Sequence, residues 1–176
     1  MPQTAVNLTQ GSPFAGMRGD TGPARVHSYV NAEASAEIPF GSAVMQGTNP
    51  REALMPTGTP GGANLVGIVE SSHAFGKDAL LGSTGIKPGV NMGVMTQGVI
   101  WVATVDAVTV GGVVTVYKSG ANAGKFGGAL SAGVTLTLTT NVALGATGAR
   151  WLTSTAGAGI AKLWFDVLQW NAARVD

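Results

Sequence analysis

The most constraining feature of this chain is a succession of short runs of β-branched and other apolar residues, separated by turns rich in glycine and proline. About eight to ten such runs follow one another at roughly 8–15-residue spacing, a pattern typical of a β-sandwich or β-barrel. We predict strands at residues 26–30, 38–45, 65–69, 90–95, 99–102, 113–117, 134–139, 149–153 and 160–170. Sustained helical periodicity is scarce, so the sequence predicts an all-β fold, either a jelly-roll-like sandwich or a small β-barrel.

Two of these segments admit a second interpretation. Residues 160–170 place Leu163 and Val167 on one helical face, but the even-numbered apolar positions also fit a strand, and the β context favours the strand. Residues 99–117 are apolar enough for a membrane span, yet they contain Asp106 and a pair of glycines between two β-branched runs. We therefore expect two buried strands in that segment, and no membrane partner.

Charge is sparse along the whole chain. Charged residues make up 11% of the sequence and the formal net charge is +1, whereas an average soluble domain has about 25% charged residues. Binding to nucleic acid through counterion release needs clustered Lys and Arg, so we expect no nucleic-acid partner. The chain has no cysteine, which excludes a disulfide scaffold, thiolate metal sites and a cysteine nucleophile. Sparse charge also fits a surface that a partner protein covers.

The N-terminal segment differs from the rest of the chain. It carries closely spaced glycine and proline and little strand signal. We predict that residues 1–25 form an extended N-terminal arm and that residues 26–176 form a single β domain. Residues 2–23 in particular are expected to dock on a partner. When such an arm orders on binding, the area it covers offsets the conformational entropy that it loses.

No motif for catalysis or cofactor binding stands out. The glycine-rich loop from Gly120 to Gly124 fails as a phosphate-binding loop, because it is one residue too short and Phe126 stands where a hydroxyl is needed. The two histidines, His27 and His73, lie far apart in the sequence, so a metal site would have to assemble from distant segments. The acidic residues are scattered as well. We predict no catalytic residue, no metal, no cofactor and no enzyme activity.

The aromatic residues offer a different indication. The chain has four tryptophans, Trp101, Trp151, Trp164 and Trp170. Their ordinary role is in the core, but tryptophan also anchors protein interfaces. Because Trp170 lies near the end of the chain, we expect it to have an interface role. The candidate interface residues are Phe14, Met17 and Arg18 of the predicted arm, together with Trp170.

Several short motifs resemble those of tailed-phage capsid cement, or head-decoration, proteins. In chain order they are GMRGD at 16–20, VHSYVN at 26–31, IPFGSAV at 38–44, GIV at 67–69, KPGV at 87–90, GVIWV at 98–102 and GARWLT at 148–153. The resemblance implies a small β protein on the outer surface of the virion capsid. Such a protein clamps neighbouring major capsid protein subunits and stabilises the head against internal DNA pressure. The implied partners are the major capsid protein and further copies of the chain, as a dimer or trimer, and the family supplies no catalytic residue.

Two other classes of function stay open at this point. A virion fibre module, or a receptor- or carbohydrate-binding β module, would line a groove with exposed aromatic side chains. An enzyme on a β scaffold, such as a cupin, would need clustered histidines and a carboxylate, which two scattered histidines do not supply.

Overall fold

The computed structural model describes residues 12–56, 65–71, 85–128, 135–137 and 148–166, and within these ranges the chain is almost entirely β. The strands are β1 Arg25–Asn31, β2 Ile38–Pro39, β3 Ala43–Gln46, β4 Glu52–Leu54, β5 Leu65–Val69, β6 Gly85–Ile86, β7 Asn91–Thr104, β8 Thr115–Tyr117, β9 Phe126–Gly127, β10 Thr135–Thr137, β11 Ala149–Trp151 and β12 Gly159–Asp166. A single-turn 3-10 helix at Gly120–Asn122 is the one helical element in the described ranges, and these ranges contain no helix that could cross a bilayer. The predicted all-β fold is confirmed.

Five of the strands close into a small barrel. β1 pairs with β4 in parallel and with β7 in antiparallel fashion. The ring is completed by antiparallel pairs of β4 with β3, of β3 with β5 and of β5 with β7. Closure lets neighbouring strands satisfy the backbone groups that an open sheet exposes at its edges. Of the two architectures that the sequence predicts, this closed ring corresponds to the small barrel.

The long strand β7 joins the barrel to a second group of strands. Its first half belongs to the barrel, whereas its second half, from Gln97 to Thr104, pairs along its whole length with β12. β11 continues the sheet beyond β12, and Thr104 pairs with Phe126 of β9, which leads on to β8 and β10. The sequence predicts two strands here, at 90–95 and 99–102. The structure has one, because pairing with β1 and β12 keeps the intervening Thr-Gln-Gly segment extended.

Within the described ranges, the core consists of two apolar clusters. All five barrel strands contribute to the first cluster, which contains Val44, Ala53, Val66, Met92 and Val94, with Tyr29 packed against it. The second cluster lies between the other face of β3, β5 and β7 and the strands β8, β9, β11 and β12. β5 is therefore buried on both faces, and all five of its residues are buried. This double burial explains why residues 65–69 read as a continuous apolar run.

The segment before β1 lies along the second half of β7. The amide of Gly16 donates to the carbonyl of Trp101 at 2.8 Å, and the amide of Trp101 donates to the carbonyl of Met17 at 2.9 Å. The amide of Gly19 donates to the carbonyl of Val99 at 2.9 Å. Residues 16–19 thus pair with the edge of β7 that β12 leaves open. Residues 1–11 lie outside the described ranges, so the division into an arm and a domain stays a prediction.

Candidate functional site

β11, β12 and the second half of β7 form a sheet with one buried and one accessible face. Along β12, Ala161, Leu163 and Phe165 are buried, whereas Lys162 and Trp164 between them are only half-buried. This alternation follows from the pleat of a strand, which sends successive side chains to opposite faces. We call the accessible side the outer face and define it by five residues, Val99, Trp101, Arg150, Lys162 and Trp164.

On the outer face each tryptophan stands opposite a cation. Arg150 is the direct partner of Trp164 in the ladder, and its guanidinium carbon lies 5.1 Å from the centre of the Trp164 ring. Lys162 is the direct partner of Trp101, and its Nζ lies 5.2 Å from the centre of that ring. Both distances fall within the range of a cation–π interaction, which contributes about 0.5–1 kcal/mol at exposed sites. The two pairs hold the four long side chains in defined positions.

A groove of about 770 Å³ opens where the N-terminal segment meets the outer face. Its walls are Pro13, Met17, Arg18, Gly19, Asp20, Thr21, Trp101 and Lys162. Gly19 is needed for this close approach, since a Cβ there would lie 2.8 Å from Cγ1 of Val99 and 3.0 Å from Cγ of Lys162. The groove therefore combines an aromatic ring, apolar stems and charged groups in one concave site, as interface pockets do.

Arg18 also ties the N-terminal segment to the barrel. Its Nε donates to Oε1 of Glu70, and its second terminal nitrogen donates to Oε2 of the same residue at 3.3 Å. Glu70 follows directly after β5, and the hydrogen bond that its carboxylate accepts raises the pKa of the Arg18 guanidinium. The Arg18 side chain is 51% exposed. An ion pair at such an exposed site contributes about 0–1 kcal/mol, so it orients the segment more than it stabilises the fold.

Of the four candidate interface residues, the structure places three in or beside the groove. Met17 and Arg18 line the groove, and Phe14, which is 52% exposed, follows the groove residue Pro13. Trp170 lies outside the described residues. The sequence did not single out Trp101 and Trp164 as interface residues, because a tryptophan within a strand is most often part of the core. The alternation along residues 160–166 could have identified Trp164, because it puts this side chain on the same face as the charged Lys162.

The chemical groups of the outer face suit it to binding rather than to holding a metal ion. Within the described ranges, no three His, Asp or Glu side chains lie close enough to hold a metal ion. Trp151, between the site residue Arg150 and Leu152, points the other way and is 1% exposed. The outer face is thus a rigid sheet surface that rests on a packed core and presents aromatic and cationic groups. Such a surface is suited to binding another macromolecule.

Comparisons with known proteins identify the family. The family model described as structural cement protein (E217 gp24/Pam3 gp6) matches residues 1–165. Among solved structures, the chain is similar to one from the capsid of Myoviridae Phage XM1, with 16% identity and a TM-score of 0.61, over 93% of this chain and 96% of that chain. A search of curated proteins finds no match. Because the family model covers nearly the whole sequence, the chain belongs to the structural cement protein family of phages and is a structural component of the virion capsid.

Proposed function

We propose that this chain is a non-enzymatic cement protein that binds the outside of a phage capsid and clamps neighbouring major capsid protein subunits through its outer face. The family supplies the capsid role, and the single observation that supports this particular face is its pair of half-buried tryptophans, each stacked with a cation. Residues that dominate the energetics of protein interfaces are most often Trp, Tyr and Arg. Trp101, Trp164 and Arg150 belong to those types and lie together on one sheet.

The rigidity of the outer face supports the same proposal. The strands that carry it are backed by buried side chains, among them Ile100, Leu163 and Phe165. A surface that is already ordered loses little conformational entropy on binding, so more of its contact energy appears as affinity. A cement protein also binds in many copies over a shell, where repetition adds avidity to contacts that are individually weak.

The N-terminal segment extends the proposed contact surface. Residues 13–21, which belong to the predicted arm, contribute most of the groove walls beside the outer face. We include Phe14, Met17 and Arg18 in the contact, and we expect Trp170 to join it. Assembly of the chain as a dimer or trimer, and the absence of a nucleic-acid partner, are part of the same proposal.

Substitution of the two tryptophans tests the proposal. Heads that lack this chain are mixed with purified wild-type protein, with Trp101→Ala, with Trp164→Ala or with Val90→Ala, and bound protein is counted per head. Val90 is exposed and precedes β7 at the end remote from the outer face, so it serves as the control. Loss of a hot-spot residue weakens binding by at least about 2 kcal/mol, or roughly thirtyfold. Unchanged occupancy for both tryptophan variants would refute the choice of face.

Carbohydrate binding is less compatible with the same groove. A sugar-binding module stacks its ligand on an open aromatic ring, but the ring of Trp101 already carries the ammonium group of Lys162 at 5.2 Å. We therefore expect mono- and oligosaccharides to leave the unfolding temperature unchanged. A ligand that binds only the folded state at a hundred times its Kd would stabilise it by about 2.7 kcal/mol, which thermal unfolding readily detects.

A further inference from the structure

The two cations of the outer face indicate which chemical groups the capsid partner presents at this surface. We propose that the outer face binds an acidic segment of its capsid partner, in which two carboxylates about 7 Å apart pair with Arg150 and Lys162. This inference rests on the proposed function, because it names the chemistry of the partner at the same face.

The register of the strands sets the spacing of the two cationic residues. Arg150 lies opposite Trp164, and Lys162 lies opposite Trp101 and two residues before Trp164 on β12. Arg150 and Lys162 therefore occupy diagonal positions on neighbouring strands, where the bases of the side chains are about 7–8 Å apart. Residues i and i+2 of an extended chain point to one side and are separated by about 6.6–6.8 Å. A segment with acidic residues at alternate positions can thus reach both cations at once.

Among the described residues, the carboxylates close to this region have partners other than Arg150 and Lys162. Glu70 accepts both hydrogen bonds from Arg18, in the one ion pair found within the described ranges. Asp166 accepts from Nε2 of Gln97 at 2.9 Å, and Asp20 accepts from the amide of Gly22 at 3.2 Å. In the part of the chain that the structure describes, neither Arg150 nor Lys162 has a carboxylate within ion-pair distance. The two cations are thus available to a partner's acids.

Stacking on tryptophan prepares both cations for such a partner. A long side chain that is free in solution loses rotamer freedom when it forms an ion pair, and this loss is one reason why exposed pairs contribute little. Arg150 and Lys162 are already positioned by their rings. Covering of the face by the partner would also exclude water and strengthen the attraction between opposite charges. The arrangement therefore favours carboxylates over neutral polar groups as the matching chemistry.

The test compares charge removal at the face with the same charge removal elsewhere. The double variant Arg150→Gln/Lys162→Gln is matched by Arg51→Gln/Lys87→Gln, which removes two exposed cations near the opposite end of β7. Binding to heads that lack the chain is measured from about 50 to 500 mM NaCl, a range over which the screening length falls several-fold. We expect the face variant to bind about ten- to a hundredfold more weakly at low salt and to lose most of its salt dependence, whereas the control binds like wild type.

Zero-length cross-linking gives an independent readout of the same contact. A carbodiimide converts a carboxylate of the partner into an O-acylisourea, and the Lys162 amine then attacks its carbonyl carbon to form an amide bond, which breaks the C–O bond and releases the urea. Mass spectrometry of treated, decorated heads should show Lys162 joined to Asp or Glu of a capsid protein, with acidic residues at alternate positions around the cross-linked site. Both variants are first checked for a wild-type unfolding transition, so that a binding defect is not confused with misfolding.

The outcomes separate the two proposals. If the tryptophan variants lose binding but Arg150→Gln/Lys162→Gln binds like wild type, with no cross-link from Lys162, the acidic segment is refuted and the face is retained. If the tryptophan variants also bind like wild type, the face itself is refuted. Weakened binding of the charge variant together with a Lys162 cross-link supports both.

Discussion

Replacement of Trp151 by Phe tests the assignment of the two faces of the β11–β12 sheet. Trp151 is 1% exposed and its indole Nε1 donates to the carbonyl of Val113 at 3.0 Å. Its ring meets that of Phe126 edge-to-face, with 6.5 Å between the ring centres and 84° between the planes. The substitution keeps an aromatic ring in the core but removes the hydrogen bond and one of the two fused rings of the indole.

The expected loss of stability is the sum of two contributions. The lost hydrogen bond contributes about 0.5–1.5 kcal/mol. Roughly 40 Å² less buried apolar surface contributes about 1 kcal/mol at ~25 cal/mol per Å². Trp151→Phe should thus lower the free energy of unfolding by about 2 kcal/mol. A chain of this size loses about 2–4 °C of unfolding temperature per kcal/mol, so the midpoint should fall by about 4–8 °C in thermal unfolding.

Trp164→Phe is the matched control, because the same substitution then falls on the outer face of the same sheet. Phe still offers Arg150 a ring face, so the free energy of unfolding should change by less than about 0.5 kcal/mol. Folded Trp151→Phe protein should in turn bind heads like wild type, since its outer face is intact. Equal destabilisation by the two substitutions, or a Trp151→Phe change below about 0.5 kcal/mol, would refute the assignment of the faces.

Three further predictions concern the fold around the site. Asn31→Ala should lower the free energy of unfolding by about 2–4 kcal/mol in urea, because the buried Asn31 amide donates to the carbonyls of Ala36 and Ile86 and accepts from the amide of Glu33. Burial, and to a lesser extent the hydrogen bond to Asp106, raises the pKa of the Tyr117 hydroxyl. The neutral Tyr117 side chain should therefore contribute fully to stability below about pH 10, and this contribution should be lost as pH rises through the folded-state pKa. Gly41→Ala should free the N-terminal segment and speed tryptic cleavage at Arg18, because a Cβ at Gly41 would lie 2.7 Å from the nitrogen of Gly16.

Each of these predictions has its own control. Asn91→Ala, at an exposed position of β7, should change stability by less than about 0.5 kcal/mol. Tyr117→Phe should reduce the fall in the free energy of unfolding at alkaline pH. If the fall is as large in this variant as in wild type, another titrating group is its cause. Gly89 has the same φ of +74° as Gly41, but no atom lies within 4 Å of its added Cβ. Gly89→Ala thus reports backbone strain alone, and equal cleavage in both alanine variants would contradict the proposed contact with Gly16.

The strands that the sequence predicts best are those with a clear burial pattern. Residues 65–69 coincide with β5, and the strand interpretation of 160–170 is confirmed as far as Asp166. The short strands β4, β6 and β9 were missed, because two or three residues cannot display a period and these strands form through pairing with distant partners. The predicted strand at 38–45 is divided into β2 and β3 by a turn at residues 40–42, in which Gly41 adopts a positive φ.

The candidate site was predictable only in part. Met17 and Arg18 were expected to form a contact surface, and the structure brings them to the groove. The juxtaposition of Trp101 with Lys162 depends on the register between β7 and β12, which are about sixty residues apart in the chain. Register between such distant strands is set by the whole core and by turn geometry. No local pattern could therefore have paired these side chains.

A reconstruction of the decorated head at side-chain resolution would show which surface of the chain contacts the capsid. We expect the outer face to turn towards the shell, with Trp101 and Trp164 covered by capsid protein and acidic side chains beside Arg150 and Lys162. A reconstruction in which this face points to solvent, with the capsid contacting β1 and β4 on the barrel instead, would contradict it.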